Sequence, residues 1–273
     1  MLEELARLIA QGDVVVVSGA GLSTGSGLPD YRGSGGSEKP SVDYDMFRNS
    51  LMWQRWVWQR NQESWRALDA LPPTKGHEIL ADWERRGLII GTATQNVDGL
   101  HFKAGSEKVA EMHGSFNRVA CIDCHEITSR EELDVRLREL NPDTIDDPDP
   151  AHVAILAEAD RTRAETSTFT IAPCKTCGST LKPDIVFFGE GVHDIEQAFD
   201  YARSAKTILV LGSSLLVLTG MWVVTQGLSS GASLAIINRG PTQADRLADI
   251  RLDADIDSTL TEIDRLITHA GQS

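Results

Sequence analysis

Residues 14–17 are four consecutive valines with no polar position between them. Such a run predicts a strand buried on both faces, not one with a solvated side. Gly19-Ala20-Gly21 follows almost at once. Ahead of the valines, Leu5, Leu8 and Ile9 share one helical face, and Gly12-Asp13 ends that helix. Three later apolar runs stop in the same way. Residues 88–93 run into the polar string 94–101, residues 208–211 into Gly212-Ser213-Ser214, and residues 234–237 into Asn238-Arg239-Gly240. Four buried strands, each ending in small or polar residues, predict a parallel sheet whose carboxyl ends line a ligand crevice.

Other stretches fill in the organisation. Residues 46–71 have a helical pattern and carry Trp53, Trp56, Trp58 and Trp65, which reads as core or interface. Residues 33–40 are Gly/Ser-rich and read as a mobile loop. Residues 141–150 are acidic and Pro-rich, and read as an exposed loop without fixed structure. Residues 207–226 contain no charge, but Gly212-Ser213-Ser214 and Thr219-Gly220 interrupt them, so strand, turn and helix fit better than a membrane span. The first residues carry Glu3 and Glu4 where a signal peptide has bases, so the expectation is a soluble, cytoplasmic chain. There is no internal repeat.

Composition bounds the function. The chain has 273 residues, 41% hydrophobic and 24% charged, enough for one large domain or a domain with an insert. Forty acids against 26 bases give a net charge of −14, which disfavours a grip on a phosphate backbone and suits a basic peptide.

Three strings carry candidate chemistry. In Gly19-Ala20-Gly21 the glycines let the backbone approach a pyrophosphate and turn N–H groups toward it. Thr24 stands where the hydride-transfer fingerprint has its third glycine, and Glu38 lies in the Gly/Ser loop, not at a strand end where it could hold an adenine ribose. The loop therefore points to a nucleotide and away from ordinary hydride transfer. Cys121-x-x-Cys124 and Cys174-x-x-Cys177 use all four cysteines at zinc-knuckle spacing, with Gly178 suited to a tight turn. A closed shell of four thiolates leaves no open position, so such a zinc is structural; a redox pair or disulfides are the alternatives. Thr94-Gln95-Asn96-Val97-Asp98-Gly99-Leu100-His101 gathers amide, carboxylate and imidazole beside a strand end, with His113 twelve residues later. A lone histidine is more often structural, but two flanking Asn96 and Asp98 near a nucleotide loop favour catalysis. An imidazole of pKa ~6.5 can take a hydroxyl proton at neutral pH.

Taken in order, the strings resemble one family, the sirtuins, which are NAD-dependent protein lysine deacylases. The resemblance rests on Gly19-Ala20-Gly21-Leu22-Ser23 through Leu28-Pro29-Asp30-Tyr31-Arg32, Gln95-Asn96-Val97-Asp98 to His101, and His113-Gly114. It continues through both cysteine pairs, Lys182-Pro183-Asp184-Ile185-Val186-Phe187-Phe188-Gly189-Glu190, Gly212-Ser213-Ser214-Leu215 and Ile237-Asn238. These span residues 14 to about 257, and Arg55-Trp56-Val57-Trp58-Gln59-Arg60-Asn61 with Lys182-Pro183-Asp184 looks most like the class II branch.

The resemblance implies an α/β fold: a Rossmann-like parallel sheet with helices on both faces, plus a small zinc-ribbon lobe inserted in the chain. Residues 1–120 and 182–273 would form the NAD-binding domain, 121–181 the zinc lobe, and 34–72 a helical insert belonging to the small lobe. Gly19, Ala20, Gly21, Ser23, Asp30, Tyr31 and Arg32 would lie on the NAD loop. Gln95 and Asn96 would hold the nicotinamide ribose and Asp98 the carboxamide. Gly212, Ser213, Ser214, Asn238, Arg239 and Gly240 would hold the adenosine half, with the backbone of Ile256 near the adenine. His113 would be the general base, with Asn96 and Asp98 beside it. Nicotinamide would leave, the acyl oxygen would attack the ribose carbon, and a ribose hydroxyl deprotonated by His113 would capture the imidate. The products would be lysine, nicotinamide and O-acyl-ADP-ribose. The acylated lysine of a protein substrate would enter on an extra strand between Val186, Phe188, Gly189 and Glu190 on one side and Leu215 and Val217 on the other. Zn²⁺ would be structural, with the protein a monomer or weak oligomer that binds neither nucleic acid nor membrane. The family's desuccinylase branch carries a Tyr-x-x-Arg motif that this chain lacks; Trp53, Trp56, Val57 and Trp58 stand in that stretch as an apolar wall, with Arg55 and Arg60 facing solvent or paired with acids. Two features depart from the family: 49 residues separate Cys124 from Cys174, and Ile256 stands where many members have cysteine.

Three other readings compete. A protein mono-ADP-ribosyltransferase would use the same cleft and the same first bond cleavage. A zinc-ribbon adaptor sensing NAD has no need of a base, and a zinc-ribbon nucleic-acid binder conflicts with the charge.

Overall fold

The valines of the first run fill β1 (Val14–Ser18), and their alternation divides the core. Val14 and Val16 join one apolar cluster, Val15 and Val17 another. A computed structural model describes residues 1–29, 40–153 and 156–270. Residues 33–39 of the expected mobile loop at 33–40 and the site candidates Asp30, Tyr31 and Arg32 lie outside the described residues.

In chain order, α1 (Leu2–Ala10) and β1 precede α2 (Tyr44–Asn49), α3 (Leu51–Asp69), α4 (Lys75–Arg85), β2 (Ile89–Thr94), α5 (Leu100–Lys103) and β3 (Val109–Glu111). Then come β4 (Gly114–Cys121), β5 (Ile127–Ser129), α6 (Arg130–Leu140), α7 (Arg161–Thr166) and β6 (Leu181–Ile185). The chain finishes with α8 (Ile195–Ser204), β7 (Thr207–Leu211), α9 (Leu218–Ser229), β8 (Ser233–Ile237), β9 (Ile250–Leu252) and α10 (Ile256–Ala270).

Among the described residues the large sheet has six parallel strands in the order β3-β2-β1-β7-β8-β9. Helices α1, α4 and α10 cover the face of Val14 and Val16 through Leu5, Ile9, Leu80, Trp83, Leu260 and Ile263. Helices α8 and α9 cover the other face through Ala198, Ala202, Val223 and Val224. The winding reverses between β1 and β7, the place where open α/β sheets bind ligands. The four expected strands end in step, because Ser18 pairs with Thr94 and Leu211, and Leu211 with Ile237. Their polar tails therefore meet above one edge.

A second, antiparallel sheet has the order β5-β4-β6. Strand β4 starts before residue 121 and β6 stops after residue 181, and their outer ends meet at the His113–Val186 hydrogen bond. It shares one core with α2 and α3: Trp53, Trp56, Trp58 and Trp65 are buried with Phe116, Val119, Leu133, Leu181 and Phe187. Trp58 donates its Nε1–H to the Leu181 carbonyl at 2.8 Å, and Arg130 is enclosed between Trp58 and Trp65.

Three expectations need correction. The helix expected over 46–71 is two helices, broken where Ser50 is extended at φ −142°, ψ 115°. The buried Gln54 amide donates to the Phe47 carbonyl at 3.1 Å, so the end of α2 has a partner without a continuous helix. The loop 141–150 is exposed but ordered by specific contacts. Arg138 grips Asp146 at 2.7 and 3.0 Å, the Asp147 N–H reaches the Glu63 carbonyl at 2.8 Å, and Asn141 donates to Leu137 and Thr170. The Trp53, Trp56, Trp58 group is lobe core and not an open wall, since Trp56 also lies under Arg163 and bonds the Glu158 carbonyl. The charge-free stretch 207–226 is strand, turn and helix as expected, and no helix among the described residues is long and apolar enough to cross a membrane.

Candidate active site

The loops after β1 and β7 cross in contact. Gly21 donates its N–H to the Gly212 carbonyl at 2.9 Å, and Gly19 donates to Leu211 at 3.0 Å. A Cβ on Gly21 would stand 2.7 Å from the Gly212 Cα; one on Gly212, at φ +60°, would stand 2.4 Å from the Leu22 nitrogen. Both glycines are thus demanded by the crossing itself. Gly212→Ala is expected to cost ~1–3 kcal/mol of backbone strain, lowering Tm by roughly 2–4 °C per kcal/mol. Thermal denaturation checks this, and an unchanged Tm would contradict the crossing. The Ala20 N–H opens a 3₁₀ turn and has no acceptor among the described residues, which suits it to an anion.

The tail of β2 is laced to that loop. The Asn96 side chain donates to the Gly19 carbonyl at 3.1 Å and to Ser23 Oγ at 3.2 Å. Ser23 in turn donates to Asp98 Oδ2 at 2.6 Å, and the Leu100 N–H holds Asp98 Oδ1 at 2.9 Å. Asp98 is buried, and burial raises its pKa against the lowering effect of these hydrogen bonds. Gln95 lies opposite, its Oε1 accepting from Ser213 Oγ at 2.7 Å and its Nε2 donating to the Val217 carbonyl and Thr219 Oγ1 at 3.1 Å each.

His113 joins the same group from the turn before β4. Its Nδ1 is 2.9 Å from the Gln95 carbonyl, which can only accept, so Nδ1 carries the proton. Its Nε2 therefore presents a lone pair, 2.8 Å from Thr219 Oγ1. Burial lowers the His113 pKa first; the Gln95 carbonyl works against that shift, and His193 is the titratable neighbour that adds to it. The ring is thus neutral at neutral pH. His101, the other histidine of the string, is placed elsewhere. It is buried edge-to-face on His77, its pKa lowered to about 4 by burial, and it bonds Ser18 Oγ at 2.8 Å beneath the strand ends.

The adenosine-side candidates follow β8. Asn238 folds its amide onto the Arg239 and Gly240 carbonyls at 2.9 and 3.0 Å, and Ser214 accepts from the Gln243 N–H. Arg239 is exposed and bound to Asp255, just before Ile256 opens α10. The peptide-side candidates form two rims. On one, Val186 donates to the His113 carbonyl at 2.9 Å, and the Glu190 carboxylate caps the Phe187 N–H at 2.7 Å and the buried Lys182 ammonium at 3.1 Å. Phe188 stands exposed there, with Gly189 next to it at φ +92°. On the other rim, Leu215 is buried at φ +60° while Leu216 and Val217 are exposed.

The four cysteine sulfurs lie within 4.8 Å of one another, with Cys121–Cys177 at 3.5 Å and Cys124–Cys174 at 3.7 Å. A disulfide needs about 2.05 Å, and tetrahedral thiolates around zinc stand about 3.8 Å apart for Zn–S bonds of about 2.3 Å. The donor set fits zinc. Each knuckle turns on a left-handed residue four after its first cysteine: Gly178 at φ +78°, as the sequence suggested, and His125 at φ +59°.

The sequence profile of the Sir2 family matches residues 19–219. The chain belongs to that family. It is 41% identical to "NAD-dependent protein deacetylase 1" of Streptomyces coelicolor over 277 residues, covering 100% of this chain and 92% of that protein. It is 37% identical to the mitochondrial "NAD-dependent protein lipoamidase sirtuin-4" of Bos taurus, covering 96% and 85%. Among solved structures, a Sir2–p53 peptide–NAD⁺ complex aligns over 100% of both chains with 28% identity and a TM-score of 0.76. For a Sir2 chain, the residue that sequence reasoning missed here is Thr219. It reads as one polar position inside an apolar run, and only the tertiary fold brings it to His113.

Proposed function

We propose that the protein is an NAD-dependent protein lysine deacylase with His113 as its general base. The observation that carries this is the His113 lone pair at Nε2, held by the Gln95 carbonyl among Gln95, Asn96 and Asp98. Family membership and the names of its relatives support the same activity. NAD, when bound, supplies a nicotinamide–ribose bond to cleave and an ADP-ribose to carry the acyl group away. Gly19, Ala20, Gly21 and Ser23, with the undescribed Asp30, Tyr31 and Arg32, would hold its pyrophosphate side. Gln95 and Asn96 would hold the nearer ribose, Asp98 the carboxamide, and Gly212, Ser213, Ser214, Asn238, Arg239, Gly240 and Ile256 the adenosine half. His113 Nε2 takes the proton of a ribose hydroxyl, and neutrality of the ring before that step is what burial secures. The substrate backbone would pair with Val186, Phe188, Gly189 and Glu190 on one rim and Leu215 and Val217 on the other, leaving its side chains largely unread. Zinc on Cys121, Cys124, Cys174 and Cys177 would hold the lobe of residues 121–181 together. The acidic surface suits basic substrate segments in the cytoplasm, with the enzyme a monomer or weak oligomer. Transfer of ADP-ribose to a protein side chain is less favoured, because that reaction forms no imidate for a ribose hydroxyl to capture and so gives His113 no ribose proton to take.

Acyl preference follows from charge. A carboxylate on the acyl chain needs a positive partner, since burying it unpaired costs several kcal/mol. Arg60 is already engaged by Glu63 at 2.5 Å, and the buried Arg130 by Asn61 and Gln62. Neutral acyl groups are therefore expected to exceed succinyl in kcat/KM. The test is NAD-dependent release of nicotinamide and free lysine from one peptide carrying acetyl, butyryl, lipoyl or succinyl lysine. Succinyl equal to the best neutral acyl would overturn the preference, and ADP-ribose attached to protein in place of O-acyl-ADP-ribose would overturn the activity.

A further inference from the structure

The Nε2 atom on which that reading depends has a partner. Thr219, in the first turn of α9, places Oγ1 2.8 Å from it, and the threonine is buried with 5% exposure. Because Nδ1 holds the ring proton against the Gln95 carbonyl, the Thr219 hydroxyl must donate into the Nε2 lone pair. The same oxygen accepts from Gln95 Nε2 at 3.1 Å, which fixes where its own hydrogen points. The ring is thus held at both nitrogens, by the main chain of Gln95 and by a hydroxyl that Gln95 itself orients.

Resting on the deacylase reading, we propose that Thr219 is the positioning residue of the base: its hydroxyl fixes the imidazole plane and occupies the Nε2 lone pair where the ribose hydroxyl must bind. The substrate hydroxyl then replaces one oxygen donor with another along the same direction, and the ring has no reorientation left to make. Thr219 also follows Val217 by two residues, so the rim proposed to seat the peptide and the residue that seats the base share one turn of chain. Loss of the hydroxyl does not free Gln95, because its Nε2 keeps the Val217 carbonyl and its Oε1 keeps Ser213. It leaves His113 Nε2 alone without a partner. The defect is therefore expected in the chemical step and not in NAD capture.

The experiment uses the full chain as wild type, Thr219→Val, Thr219→Ser and His113→Ala, each first confirmed folded by thermal melting. Thr219→Val keeps the shape and removes the hydroxyl; Thr219→Ser keeps the hydroxyl and loses a methyl. The expected result is a fall in kcat of about 10–10²-fold for Thr219→Val, with KM for NAD changed less than about twofold. Thr219→Ser is expected to stay near wild type. In ¹⁵N-histidine NMR, the His113 Nε2 resonance, assigned by its loss in His113→Ala, is expected to move downfield in Thr219→Val and to hold its place in Thr219→Ser. A packing role predicts the opposite order, with Thr219→Val equal to or better than Thr219→Ser, and that order or an unmoved resonance overturns the proposal. If the wild type is active and Thr219→Val matches it, only this inference falls; if the wild type releases no free lysine from any acyl peptide, the deacylase reading falls and this inference with it.

Discussion

His113→Ala is expected to remove deacylation while the protein stays folded and still binds NAD. A positioned general base contributes about 10²–10⁴ in rate, and each factor of ten is about 1.4 kcal/mol of barrier. Neither Asp98 nor His101 can substitute. Asp98 is sealed by Ser23 and the Leu100 N–H, and His101 faces Ser18 and His77 beneath the sheet. The fold should tolerate the change, because the ring is only half-buried, Thr219 still accepts from Gln95, and the backbone of residue 113 keeps its bond to Val186. Asn96, Ser23 and Ser213 are untouched, so NAD affinity should change little. The sign of the pH dependence follows from the lowered His113 pKa: the base stays neutral down to a lower pH than free histidine, and kcat/KM, which reports the free enzyme, falls only as pH drops through that lowered pKa. Steady-state turnover, a melting curve and NAD titration on the same preparation check all three parts. Turnover like the wild type would refute the assignment.

What the sequence made legible was whatever depends on short, regular spacing. Four apolar runs with small or polar endings located the parallel sheet and its crevice, since side chains on a strand buried on both faces are uniformly apolar. The cysteine pairs fixed the metal centre because each knuckle is local, although the role of His125 as the second left-handed turn residue was hidden: a histidine there carries no glycine signal. β3 and β9, three residues each, lie below the length at which a pattern can be distinguished from a loop. The break at Ser50 was invisible because Gln54 supplies the missing partner from the next helix. The order of the acidic loop depends on Arg138, Glu63 and Thr170, which are distant or face it only after folding. Thr219 is the sharpest case. Nothing within its own segment distinguishes it, and its meaning arises entirely from a contact across 106 residues of chain.

Stripping the metal is expected to melt the small lobe and abolish activity by that route. Cys121 and Cys174 are buried members of the same core as Phe116, Leu133, Trp58 and Leu181, so the metal centre is continuous with the packing of the lobe. Around it regular structure is sparse: β5 has three residues, and the antiparallel sheet three strands. In isolated zinc-finger peptides the bound metal supplies about 10–16 kcal/mol. Loss of activity follows from connectivity, since no zinc ligand is free for chemistry. Strand β4 begins at Gly114, immediately after His113, and ends at Cys121; β6 ends at Ile185, immediately before the Val186–His113 hydrogen bond. Unzipping the knuckles thus frees both the base and one peptide rim. Metal analysis is expected to give one zinc per chain, and Cys174→Ser or a strong chelator should lower Tm and shift tryptophan fluorescence as Trp58 loses the Leu181 carbonyl. Added zinc should restore the chelated wild type but not Cys174→Ser. A protein that holds no zinc, or that keeps its melting curve and turnover after stripping, would refute a structural role for the site.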